Sequence, residues 1–480
     1  MVFSSESFLF LFLPVFLAMY YLTPVRLRSY PILLGSYVFY AWWRVDFLGL
    51  LILTTAFAYV IGQKVAKHKG TAKGRTFLAI GVVGCLGVLG VFKYLNFFID
   101  SFAMLFGTDA AGLGVHWRLI LPIGISFYVF QALSYLIDVY RGDAKADANF
   151  IDFAAFIALF PQLIAGPILR YKDLEDQFRK RDHSVELFCD GLARFLVGMA
   201  KKVILADAVA PLADLVFGAD SPGMVIAWAG AIAYMLQLYF DFSGYSDMAI
   251  GLGKMMGFRF LENFRFPYIS RSITEFWRRW HISLSNWLRD YLYISLGGNR
   301  VSPGRTYFNL MTVMVLGGLW HGANWTFVLW GFWHGGLLAA ERFVGWDKRA
   351  QEHWYALPLT LFFVLIGWVM FRATSVSEGV GVYAGLFGFN GIWGDAALYY
   401  EATRESVSLA LIAILVVFLE PRIFGHFSQS PQPIVSHGGT AAAVVNWSQV
   451  LGTLGALLCG TLAILKLAEQ SFSPFLYFQF

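Results

Sequence analysis

Residues 45–95, VDFLGLLILTTAFAYVIGQKVAKHKGTAKGRTFLAIGVVGCLGVLGVFKYL, decide the fold class. Two apolar runs, near 47–62 and 77–98, flank a basic stretch from Lys64 to Arg75. A helix crossing the hydrocarbon of a bilayer needs about 20 apolar residues, so the pair reads as a transmembrane hairpin. By the positive-inside rule its basic turn faces the cytoplasm. Outward from there, apolar runs recur near 7–23, 30–43, 118–138, 151–169, 191–217, 223–252, 307–342, 355–372, 405–420 and 446–467. The run 307–342 is long enough for two passes or a broken helix. The N-terminal MVFSSESFLF carries no basic residue ahead of its apolar run, whereas Arg26 and Arg28 follow it. It is therefore read as a retained first span with the N-terminus outside.

Composition agrees. Of 480 residues, 58% are hydrophobic, 18% aromatic and 14% charged, against about 25% charged in soluble proteins. A soluble or disordered chain is excluded. The net charge of +5 is too small for a nucleic-acid binder. Cys85, Cys189 and Cys459 are far apart and form no CxxC or zinc pattern. There is no HExxH, Walker A or GxSxG motif, so neither a metal nor a bound cofactor is expected. With no long linker, residues 1–480 are predicted to form one all-α polytopic domain of about ten to twelve transmembrane helices.

Residues 258–305, FRFLENFRFPYISRSITEFWRRWHISLSNWLRDYLYISLGGNRVSPGR, break the apolar pattern. They hold eight Arg, no Lys and three acids. Their balance of 8 − 3 = +5 equals that of the whole chain, so the remainder sums to zero. Trp277, Trp280, Leu284, Trp287 and Tyr291 recur with helical spacing, which predicts an apolar stripe with Arg279, Ser283, Asn286 and Asp290 opposite. One reading is an interfacial helix, with Trp at headgroup depth and Arg on anionic lipid. Another is a cytoplasm-facing platform in which Arg278 and Arg279 meet phosphates. The two are compatible.

GGLWHGANWTFVLWGFWHGG (317–336) places His321 and His334 at membrane depth. An intramembrane ionisable residue is costly and points to function. Thirteen positions apart, the two do not share a helix face and form no local metal pair. The glycines around His321 allow close backbone approach or a helix break. A desolvated neutral imidazole there suits a general base acting on a hydroxyl; an interhelical hydrogen bond is the alternative, as it is for His334 and for His281. Trp320, Asn324 and Trp325 are expected to support the site, with Asn324 or an indole N–H as an oxyanion donor. LYFDFSGYSDMAIG (238–251) buries Asp241 and Asp247, which need cationic partners; the Arg-rich segment is the expected source. FPQLIAGPILRYKDL (160–174) brackets a glycine with two prolines, as a bent or re-entrant element would. Residues 471–480, SFSPFLYFQF, form an aromatic tail that by composition alone would serve as an interfacial anchor.

In this order and spacing, LYFDFSGYSDMAIG, EFWRRWHISLSNWLRDYLYISLGGNR and GGLWHGANWTFVLWG resemble the membrane-bound O-acyltransferase superfamily. IGISFYVFQALSYLIDVYRG (123–142) and FPQLIAGPILRYKDL resemble its bacterial branch. The resemblance implies a ring of helices around a funnel or tunnel, with His321 as the main catalytic residue and His281 at the family's second polar position. It also implies transfer of an acyl group from a cytoplasmic donor, acetyl-CoA or another acetyl thioester, across the bacterial inner membrane. Periplasmic carrier or transferase proteins would then O-acetylate an exopolysaccharide, alginate first among the options. Cellulose, peptidoglycan and teichoic acid are alternatives, and a transporter without chemistry is the rival class. Tyr477, in the terminal Tyr-Phe-Gln-Phe, matches a C-terminal acyl-relay pattern of related systems.

Overall fold

The computed structural model describes all residues except 147–148, 395–397, 400–401, 403, 424–446, 470–474 and 477–480. Among the described residues there is no strand. The helices in chain order are α1 (Ser7–Leu22), α2 (Ser29–Ala41), α3 (Val45–Lys67) and α4 (Ala72–Leu105), then α5 (Ile125–Arg141) and α6 (Phe150–Ala158). The next group is α7 (Tyr171–Arg179), α8 (Val185–Ala200), α9 (Asp207–Phe217) and α10 (Met224–Met255). Two short helices, α11 (Ile273–Arg279) and α12 (Ile282–Trp287), precede α13 (Pro303–His321) and α14 (Trp325–Val344). The last four are α15 (Ala356–Arg372), α16 (Val376–Leu386), α17 (Arg404–Ile423) and α18 (Trp447–Glu469).

Val45–Lys67, Ala72–Leu105, Met224–Met255 and Gly452–Glu469 are long and apolar enough to cross a membrane unaided. The quoted hairpin is thus α3 and α4, with Thr71 capping α4 by accepting from the Gly74 N–H. The long run 307–342 is two helices, α13 and α14. The segment after α6 is bent as its prolines require: the helix stops at Ala158, makes one turn at Phe160–Leu163 and runs irregularly to Arg170. Nearly all of it is buried, which satisfies the condition for non-helical backbone at membrane depth.

α10 is the axis of the molecule. Of the helices long enough to span, it is the most buried. Against it lies α8, and their contact is made by four glycines. A Cβ on Gly198 would sit 2.5 Å from the Gly244 carbonyl oxygen, and one on Gly244 would sit 2.6 Å from that of Gly198. Gly191 and Gly251 repeat the arrangement seven residues away, at 2.6 and 2.5 Å. In a membrane no hydrophobic force draws helices together, so backbone-to-backbone packing of small residues does that work. Gly244→Val is therefore expected to separate α8 from α10 at a cost of about 1–3 kcal/mol. The check is the yield of monodisperse protein after detergent extraction, which should fall well below that of the wild type.

Beside this contact lies a buried ionic network. Arg194 of α8 pairs with Asp247 of α10 at 2.8 Å and with Glu262 at 2.5 Å. Lys201 bridges Asp247 at 2.9 Å and Glu420 of α17. Lys202 joins Asp241 at 2.6 Å and Asp207 at 2.7 Å. The partners of Asp241 and Asp247 are thus cations upstream on α8 and the π-turn Lys201–Ala206, not the Arg-rich segment downstream as the sequence suggested. The downstream segment contributes an acid instead, Glu262.

The Arg- and Trp-rich segment departs from a single amphipathic helix. It breaks between α11 and α12, where His281 takes a left-handed φ of 43°. The break rotates the second half, so Ser283 is buried rather than turned out, and Trp280 and Trp287 pack into the core rather than lying at headgroup depth. Glu341 of α14 fixes the start of α11 by accepting from the Ile273 and Thr274 N–H groups at 2.6 and 2.9 Å.

Candidate active site

α13 ends at His321, and its backbone end is held from outside. Lys93, on α4, donates to the Trp320 and His321 carbonyl oxygens and to Ser126 Oγ. Tyr94 donates to the Leu319 carbonyl at 2.9 Å. These carbonyls lie in the last helical turn and lack intrahelical donors, so the ammonium acts as an external C-cap and favours the helix dipole. Gly322 is extended, and Asn324 restarts the helix by accepting from the Thr326 N–H at 3.1 Å. His321 therefore sits at a helix break, with glycines 318 and 331 letting α13 and α14 touch through their backbones.

Around the buried His321 ring are Trp330 at 5.3 Å, Phe371 at 5.2 Å and Trp320 at 5.0 Å between centroids. The His281 ring lies 6.1 Å away. Two imidazoles 40 positions apart in sequence thus meet in one aromatic chamber. His281 is also buried, with Phe242 edge-on at 4.8 Å. His334 is buried in a separate cage of Phe276, Trp277, Trp330 and Trp368; it shares Trp330 with His321 but does not enter the pair.

Of the supporting residues expected from sequence, Trp320 lies in the chamber. Asn324 is occupied as the α14 cap and by a bond from its amide to the Thr374 carbonyl at 2.9 Å. Trp325 is half-exposed and donates to Ser101 Oγ at 3.2 Å. Arg278 is exposed, whereas Arg279 is paired with Glu275 at 2.8 Å and donates to the Arg265 carbonyl at 3.2 Å. At the far end of the same segment, burial favours a neutral Asp290, but Arg289, Arg170 and Lys172 hold its carboxyl below the ordinary range.

Asp241 is held by Lys202, and its second oxygen accepts the Leu476 N–H at 2.9 Å. Phe475 packs on Tyr245 at 4.4 Å and on Phe242 at 6.0 Å between centroids. Phe475 and Leu476 are thus buried in the core, Phe475 against the aromatic ring that faces His281. Tyr477 itself lies outside the described residues.

On the other side of Lys93 a cavity of about 600 Å³ opens toward the N-terminus, lined by Met1, Ser5, Trp43, Lys93 and Ser126 among others. Lys93 thus both lines this space and donates to the His321 carbonyl oxygen at 3.2 Å. Lys93 went unremarked in the sequence reading, although a lone lysine inside the run 77–98 carries the same signal as the histidines. Asn263 and the Lys201–Lys202 pair were also missed; the tandem lysines within 191–217 would have been the clue.

These features define the class: a multi-pass membrane protein enclosing two buried imidazoles near the end of a broken helix. The membrane-bound O-acyltransferase family model matches residues 143–376. The probable alginate O-acetylase AlgI of Azotobacter vinelandii is 50% identical over 100% of both chains, and that of Pseudomonas aeruginosa is likewise 50% identical over 100% of both. The peptidoglycan O-acetyltransferase of Helicobacter pylori is 35% identical, covering 82% of this chain and 81% of its own. The chain belongs to the membrane-bound O-acyltransferase family and is an O-acyltransferase.

Proposed function

We propose that this enzyme carries acetyl groups from a cytoplasmic thioester, acetyl-CoA, to periplasmic partner proteins that O-acetylate alginate. The observation that carries the reading is the buried His321–His281 pair, whose ring centroids lie 6.1 Å apart. Full-length identity to alginate O-acetylases supports alginate as the polymer. The N-terminus would lie in the periplasm of an inner-membrane protein, so the cavity lined by Met1 and Ser5 would open outward. Exposed Arg278, with its neighbours in the basic segment, would meet the donor's phosphates.

In the reaction, a hydroxyl oxygen attacks the thioester carbonyl carbon while His321 takes its proton. The new C–O bond forms as the C–S bond breaks, and the proton passes from His321 to the departing thiolate. Enclosure limits competing hydrolysis. The tail residues Phe475 and Leu476, anchored beside His281, support Tyr477 as the first acceptor; its aryl ester would then be attacked by a partner's hydroxyl, releasing the phenol.

The test is purified protein in liposomes supplied with acetyl-labelled acetyl-CoA. Release of free CoA with label on the chain is expected, and Tyr477→Phe should lose the label while His321 stays in place. Absence of CoA release, with and without partner proteins, would sink acetyl-CoA as donor. A Tyr477→Phe protein that labels as strongly as wild type would remove the relay.

A further inference from the structure

His281 is the residue of the pair whose hydrogen bonding can be followed atom by atom, and the chain of bonds starts on another element. The Ile168 N–H, in the bent Pro–Gly segment, donates to Ser283 Oγ at 2.9 Å. Ser283 Oγ is thereby an acceptor from the backbone, and its own proton goes to Asn263 Oδ1 at 2.8 Å. The same Oδ1 accepts the Ser283 N–H at 3.2 Å and lies 3.1 Å from His281 Nδ1. The Asn263 backbone carbonyl accepts the Ile282 N–H at 2.9 Å.

These bonds fix the orientation of the amide. A flipped Asn263 would set its NH2 group against the Ser283 N–H, donor against donor, so the oxygen must be the atom facing α12. An amide oxygen has no proton to give. His281 must therefore donate from Nδ1, and in a neutral imidazole that leaves Nε2 as an unprotonated acceptor. Nε2 is buried and has no hydrogen-bond partner among the described residues. His281 cannot drift from this pose easily, because its backbone is held at φ 43° and the first two N–H groups of α12 are both capped by Asn263.

We propose that Asn263 is a positioning residue that locks His281 in the Nδ1–H tautomer and so leaves the Nε2 lone pair free, on a ring whose centroid lies 6.1 Å from that of His321. Acting through His281 it makes that nitrogen a proton or hydrogen-bond acceptor for the reacting hydroxyl; this part rests on the acyl-transfer reading above, whereas the tautomer does not. The site holds no other acceptor within the bonds described that would keep the ring in this state if Asn263 were apolar.

The experiment uses the full chain in lipid nanodiscs, labelled with 15N-histidine, with His281→Gln to assign the His281 signals by difference. Wild type should show a protonated Nδ1 and a bare Nε2. Asn263→Leu should lose that pattern, and Asn263→Asp, which restores an acceptor oxygen, should regain it. With acetyl-CoA as probe, kcat for acetyl release should fall by about 10²-fold or more in Asn263→Leu, with KM little changed, and recover in Asn263→Asp. A wild-type His281 protonated on Nε2, or an unchanged tautomer in Asn263→Leu, overturns the proposal. The wild-type spectrum decides even where a variant fails to fold. The predicted tautomer in a protein that releases no CoA would count against the acyl-transfer reading and leave the assignment standing.

Discussion

His321→Ala is expected to lower acetyl transfer by about 10²–10⁴-fold, the range a positioned general base supplies. At 1.36 kcal/mol per tenfold, that is about 3–5 kcal/mol of transition-state stabilisation. The protein should still insert and accumulate. The reason lies in how the helix end is held: Lys93 and Tyr94 grip the carbonyl oxygens of Leu319, Trp320 and His321, not the imidazole. Alanine keeps those carbonyls and the helix cap. Acetylation of the polymer, measured in cells that supply the remaining components, should fall to background while the amount of membrane protein stays near wild type. His321→Gln, which retains bulk and a hydrogen-bonding amide but cannot take a proton, should be equally inactive. Normal acetylation by either variant would move the catalytic assignment elsewhere, with His281 the nearest imidazole.

The membrane fold was legible because its signal is long and local. A run of 20 apolar residues reads the same way wherever it falls, and the helices α3 and α4 lie where the opening stretch places them. The same holds for the break at Gly322, since Gly, Asn and a new apolar run punctuate the chain in sequence order. What was not legible depends on which residues meet in space. The stripe of Trp277, Trp280, Leu284 and Trp287 has correct helical spacing, yet the helix stops between Arg279 and Ile282. The bond from the Ile282 N–H to the Asn263 carbonyl causes that stop, and residue 263 lies 19 positions upstream. Likewise the nearest cations in sequence to Asp247 are not its partners. Close packing of α8 on α10, set by four glycines, brings Arg194 and Lys201 across instead. His281 in the left-handed region could not be anticipated either, because glycine is the usual occupant of that region and few residues of any other type, histidine included, adopt it.

Lys202→Met should have the largest effect on the folded protein. Lys202 is buried, as is Asp241, and the ammonium serves two carboxylates, Asp241 and Asp207. Removing one partner of a buried pair strands charge in a medium that cannot solvate it, at a cost of about 3–5 kcal/mol. That is a large part of the 5–15 kcal/mol by which folded proteins are stable, and the variant should be degraded or recovered only as aggregate. The discriminating measurement is the double variant Lys202→Met, Asp241→Asn. Neutralising Asp241 removes one stranded charge, so size-exclusion yield should recover partly; Asp207, nearer the helix end, stays charged and limits the recovery. The asparagine also keeps a carbonyl oxygen able to accept the Leu476 N–H, so the tail retains its anchor. In Lys202→Met, Asp241→Leu the charge is again gone but the Leu476 N–H has no acceptor. Yields of the two double variants should then be similar, while acetyl transfer survives only in the one that holds the tail. Equal activity in both would mean that the anchor at Asp241 has no part in transfer, and that this carboxylate is kept solely to balance Lys202.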